Sequence, residues 1–161
     1  MDHPPVEVSN ETTYRLREAL IAELASAVLR LEESDGLVTI AFLEEAAMAD
    51  LNGRYRDTPG ATDVLSFPGD DDDDDDWPDL EEQGGEAYLG DIAICPVVAE
   101  RNADEDGISL DLELRRLIVH GVLHLLGWDH EVDQGEMRAR EEEVLGSIAD
   151  LPADLVEARP R

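Results

Sequence analysis

Lysine is absent from this chain of 161 residues, so its 12 basic side chains are all arginine, set against 41 acidic ones for a formal net charge of −29. A field of that sign repels polyanions at long range. Two explanations compete: a salt-rich cytoplasm, where an acidic surface stays hydrated, or a GC-rich genome favouring Arg, Asp, Ala and Gly codons. The first is preferred. In molar salt the screening length falls to about 3 Å, so a nucleic-acid site would feel only its own few arginines, and the net charge does not exclude an RNA substrate. Cysteine is nearly absent as well. Cys95 alone excludes an internal disulfide, and its strand-like setting, Gly90-Asp-Ile-Ala-Ile-Cys-Pro96, suits a small buried residue without chemistry. There is no long hydrophobic run: the longest apolar stretch is the one carrying the histidines, too short and too polar to span a bilayer. The opening Met1-Asp-His-Pro-Pro-Val-Glu7 lacks the basic and apolar segments of a leader, so a cytoplasmic protein without membrane contact is expected. The length suits one domain over 1–161, able to bury roughly two thirds of its unfolded surface.

What is concentrated is histidine. Three of the four in the chain fall within His120-Gly-Val-Leu-His124-Leu-Leu-Gly127-Trp-Asp-His130. His120 and His124 are four apart, so on a helix their rings leave one face at neighbouring turns. Gly127 ends a helix cheaply in a left-handed turn and lets the chain bring His130 back towards the same point. A single histidine on an apolar helix is more often a satisfied core or surface side chain. Three at this spacing, in so apolar a stretch, need partners, and one divalent ion satisfies them together. Three imidazoles with an open fourth position describe a catalytic zinc site; nickel or copper would also accept the ligands.

One residue is missing from that pattern. The spacing is that of H-E-x-x-H-x-x-G-x-x-H, but Gly121 stands where zinc proteases carry their glutamate base, which weakens a peptide-hydrolysis reading. Any base must come from elsewhere in the chain or from the substrate. A phosphodiester fits that absence, since a metal and a cationic side chain can handle its oxygens while the metal lowers the pKa of bound water towards ~7. An arginine near the metal becomes the residue to look for.

The order of elements follows from periodicity. Strands are expected at Val6–Ser9, Leu37–Leu43, Val64–Phe67 and Tyr88–Ile94. Helices are expected at Thr12–Glu33, Glu44–Tyr55, Pro96–Asn102, Leu110–Leu126 with Ser109 as N-cap, and Asp133–Ala149. A turn falls at Asp57–Gly60, and the run Asp70–Asp76 reads as a solvated hairpin loop, since it lacks the spaced ligands and central glycine of a calcium loop. No internal repeat is visible. The expected class is α+β: a single mixed four-stranded sheet covered by about five helices, with a buried central metal-binding helix.

Three blocks stand in order: Leu51-Asn-Gly-Arg-Tyr-Arg56 leading into Thr62-Asp-Val-Leu-Ser-Phe-Pro68, then Leu89-Gly-Asp-Ile92, then His120 to His130. Together, over about residues 37–146, they closely resemble the YbeY family of bacterial rRNA maturation endoribonucleases. The resemblance implies a single-strand-specific, zinc-dependent endoribonuclease acting in small-subunit rRNA 3′-end maturation and late ribosome quality control. It implies one Zn2+ per chain on His120, His124 and His130, and places the family's cleft arginine on Arg56. The expected mechanism is attack of a metal-activated water on an RNA phosphodiester, with Arg56 on the phosphate. Expected partners are single-stranded rRNA, the small ribosomal subunit and, as a further candidate, an associated GTPase.

Rival readings are a non-catalytic, zinc-stabilised assembly factor and a metal-dependent hydrolase of peptides or small molecules. Without the resemblance Arg56 could merely cap its helix. Arg54, Arg115 and Arg116 are ambiguous, the last two between RNA backbone and the nearby Asp111 and Glu113. Asp63, Ser66 and Asp91 read as strand-end hydrogen bonding at least as well as catalysis. Asp129 would orient a ligand or only occupy its loop. The chain departs from the family at Trp128, where tyrosine is usual, and in a long acidic insertion at 69–87.

Overall fold

A computed structural model describes residues 5–56, 60–69, 88–128, 134–151 and 154–160, with the side chain of Arg56 excepted. The Asp70–Asp76 run, the rest of the insertion after Gly69, and Asp57, Asp129 and His130 lie outside the described residues.

Alternation builds the sheet. In β3 (Leu37–Phe42) buried and half-buried residues alternate, so Val38, Ile40 and Phe42 point to one face and Thr39 and Ala41 to the other. β3 is flanked by β1 (Val6–Asn10) and β5 (Tyr88–Ile94), both parallel to it, and β4 (Val64–Pro68) closes the far edge antiparallel to β5. The sheet order is β1-β3-β5-β4, the mixed four-stranded sheet expected. Parallel neighbours need crossovers, and the helices supply them: α1 (Glu18–Leu31) joins β1 to β3, while α2 (Glu45–Arg56) follows β3. Then come α3 (Pro96–Asp106), α4 (Leu110–Leu125) and α5 (Glu136–Ser147), five helices among the described residues.

The main core lies on one face of the sheet. Val38, Ile40, Phe42, Ile92 and Ile94 pack with Ile21, Leu24 and Val28 of α1 and Leu114, Ile118 and Val122 of α4. Fully burying each such side chain contributes about 1.5–3 kcal/mol. On the other face α2 sets Met48 against Leu65, Ala93 and Cys95, so the thiol is buried as expected and burial pushes its pKa up. α4 is the central helix: 11 of its 16 residues are buried. Ser109 caps it, its Oγ accepting from Leu112 N–H at 3.1 Å.

Two expectations are corrected. The first helix starts at Glu18 rather than Thr12, because Asn10 folds the intervening chain into a turn: its Oδ1 accepts from Thr12 N–H at 3.0 Å and its Nδ2 donates to Tyr14 O at 2.7 Å. Freed from the helix, β2 (Arg15–Leu16) pairs antiparallel with β6 (Val156–Ala158), a two-stranded ribbon that periodicity does not reveal. The third helix also runs four residues past Asn102, to Asp106, where Gly107 caps it with φ +71°.

Candidate metal centre

His120 and His124 sit on the last two turns of α4, one helical turn apart as their spacing requires. Their ring centroids are 6.3 Å apart and their planes are within 4° of parallel. Each ring is anchored at Nδ1. His120 Nδ1 lies 3.0 Å from Glu141 Oε2 on α5, and His124 Nδ1 lies 3.1 Å from the carbonyl oxygen of Trp128. A carbonyl and a carboxylate only accept, so each Nδ1 carries a proton, and in the neutral imidazole the lone pair is then on Nε2. That is the tautomer of a metal-binding imidazole whose far nitrogen is held by the protein.

The end of α4 explains the second anchor. Gly127 has φ +106°; its N–H donates to His124 O at 3.1 Å, and the N–H of Trp128 donates to Leu123 O, also at 3.1 Å. These are the paired bonds of a glycine-terminated helix, and they turn Trp128 back so that its carbonyl meets His124. The Trp128 indole N–H donates to Glu32 Oε1 at 3.2 Å, and Glu32 in turn accepts from Arg140 Nε at 2.7 Å. The tryptophan thus adds to aromatic packing a polar tie between the ends of α1 and α4 and the helix α5.

Gly121 faces the sheet. A Cβ there would stand 2.9 Å from Ile92 Cδ1 and 3.0 Å from its Cγ2, so the helix is seated on β5 at the one position where a protease would carry its base. The donor set therefore fits zinc while the helix itself offers no proton acceptor beside it. Among the described residues no group of three candidate ligands converges; these contribute the pair, and the expected third ligand, His130, is not among them.

The arginines separate. Arg56 is the last residue of α2. Arg54 is exposed, 3.4 Å from Asp50 and stacked over Tyr55 at 5.9 Å. Arg115 is buried, its Nη2 donating at 2.5 Å to Ile148 O behind α5, and its Nε has no hydrogen-bond partner among the described residues. Arg116 stands 3.9 Å from Glu113, whose pKa burial raises despite that cation.

The three strand-end candidates fall on structural positions. Asp63 accepts from Asn102 Nδ2 at 3.2 Å, Ser66 lies opposite Ile92 in the β4–β5 ladder, and Asp91 accepts from the Tyr88 hydroxyl while desolvation raises its pKa. Asp91 also borders a groove of about 530 Å³ on the sheet face away from α4, shared with Thr39, Ala41, Tyr55, Phe67 and Pro68. Tyr55, 62 % exposed, meets Phe67 edge to face at 5.3 Å. Sequence reasoning missed this groove and Glu141. The exposed aromatic beside Arg56 was the available signal for the groove; Glu141 had none, being one of several acids on a charged helix.

Fold and histidine pair together define a class, an α+β protein built round a buried helix that bears two anchored imidazoles. Comparison with known proteins supplies the family. The sequence profile described as Endoribonuclease YbeY matches residues 6–149. The chain is 43 % identical over 159 residues to the endoribonuclease YbeY of Mycolicibacterium smegmatis, covering 95 % of this chain and 86 % of that protein. To the Mycobacterium marinum endoribonuclease YbeY it is 44 % identical over 127 residues, 78 % of this chain and 71 % of the relative. The solution structure of TM1509 from Thermotoga maritima is similar with a TM-score of 0.60 and 25 % identity, covering 97 % of this chain and 99 % of that one. The chain belongs to the endoribonuclease YbeY family.

Proposed function

We propose that this chain is a single-strand-specific, zinc-dependent endoribonuclease acting in small-subunit rRNA 3′-end maturation and late ribosome quality control. The observation that carries the reading is the parallel imidazole pair, each ring anchored at Nδ1, on the central helix of a chain in this family. His120, His124 and His130 would hold one Zn2+ per chain. A zinc ion bound there supplies a Lewis acid and a source of hydroxide at neutral pH.

The chain's own residues do the rest. Glu141 and the Trp128 carbonyl keep the two rings in the coordinating tautomer. Arg56, at the end of α2, binds the scissile phosphate through the planar fork of its guanidinium, which stays charged at any working pH. Because Gly121 is packed on Ile92, proton transfer falls to a group outside α4 or to the substrate. This favours a phosphodiester over a peptide bond, whose nitrogen leaving group must be protonated. Single-stranded rRNA, the small ribosomal subunit and an associated GTPase are the partners this role calls for, in the cytoplasm; among the described residues no helix is long and apolar enough to cross a membrane.

Arg56→Ala tests the phosphate role. The variant should retain its zinc and lose about 10²-fold or more in cleavage of a single-stranded RNA, the scale of removing one preorganised charge donor. Wild type should leave the same sequence intact in a duplex. Full-rate cleavage by Arg56→Ala would sink the role assigned to the guanidinium.

A further inference from the structure

α5 sets the side chain of Glu141 against the histidine pair. Met137 and Val144 are its buried residues, and Glu141 follows Met137 by four and precedes Val144 by three, which keeps it on the buried stripe. Its side chain is 22 % exposed, whereas that of Glu143, two positions on, is 68 % exposed and paired with Arg140 at 2.7 Å. No arginine pairs with Glu141 among the described residues; its polar partner there is His120, at 3.0 Å. A half-buried carboxylate held by an imidazole rather than by a permanently charged guanidinium has less to offset its desolvation.

We infer that Glu141 is a positioning residue for the metal centre. By accepting the Nδ1 proton of His120, its carboxylate fixes the lone pair on Nε2, holds the ring plane parallel to that of His124, and raises the basicity of the donor nitrogen. The two rings are thereby held differently. His124 is oriented by a backbone carbonyl of its own helix end, which no substitution removes, while His120 is oriented by a side chain from another helix. Metal affinity is therefore coupled to the docking of α5 on α4. The inference rests on the zinc reading proposed above.

The test uses the full chain with Glu141→Ala, Glu141→Gln and, as a control for loss of one negative charge, Glu142→Ala, whose side chain is exposed. Zinc affinity is measured by competition with a chelator, and the tautomer of His120 is read in the zinc-free protein by nitrogen-15 NMR. Glu141→Ala should bind zinc 10–100-fold more weakly and lose the Nδ1-protonated tautomer. Glu141→Gln, whose amide oxygen still accepts, should keep the tautomer and recover most of the affinity. Glu142→Ala should match wild type. Should Glu141→Ala fail to fold, the wild type decides: a His120 proton on Nε2 in the zinc-free wild type overturns the role. A wild type that binds zinc, with Glu141→Ala matching it in affinity and tautomer, overturns the positioning role and leaves the zinc reading standing. A wild type that binds no zinc overturns both, and the chelator competition on wild type alone tells these failures apart.

Discussion

A side chain at position 121 would have to enter space that Ile92 fills, and Ile92 is fully buried. Gly121→Glu should therefore lower stability by about 1–3 kcal/mol through overpacking, read as a shift in the denaturation midpoint, and should confer no peptidase activity. An unchanged midpoint would mean that α4 does not rest on β5 there. The spacing of His120 and His124, and the turn at Gly127, were legible in the sequence because both are local: four residues set a helical face, and a glycine permits a positive φ. Glu141 was not legible. Nothing distinguishes it from Glu142 or Glu143 until α5 is docked, because its meaning comes from a residue 21 positions away. Arg115 was ambiguous for the same reason, since the carbonyls that hold it, Ile148 and Leu151, belong to the chain behind α5.

At the scale of elements, α4 carries an ionisable group deep in its first half. Glu113 is buried, and burial raises its pKa from the ordinary 4.5, with Arg116 opposing. A raised acid binds more protons folded than unfolded, so its contribution to stability is fully present below about pH 4.5 and is lost as pH rises through the folded value. Glu113→Gln, which cannot ionise, should thus stabilise the protein more at pH 7 than at pH 4 when both variants are melted side by side. An equal effect at the two pH values would place the carboxyl in water. The apolar helices and strands were legible from their periods. The start of α1 was not, because Leu16 and Leu20 continue the helical pattern while the Asn10 turn and the pairing of β2 with β6 override it. A strand of two residues has no period to read, and its partner lies at the other end of the chain.

Over the whole molecule, the arginines are already committed to a large extent. Arg15, Arg54, Arg101, Arg116, Arg140 and Arg159 face carboxylates, and Arg17 and Arg115 face backbone carbonyls. Against a net charge of −29, the described residues leave few cations to meet a phosphate chain, so binding strength from counterion release is small and screening of the acidic surface helps rather than hinders. This is why the charge that first argues against RNA is compatible with a ribonuclease working in high salt. The measurement that bears most directly on the account is zinc content together with cleavage of a single-stranded RNA, for wild type and His124→Ala purified identically, at low and at molar salt. Wild type should hold one zinc and cleave, better in molar salt, while His124→Ala loses metal and cleavage together; equal cleavage by the two would contradict a metal-dependent nuclease on this helix.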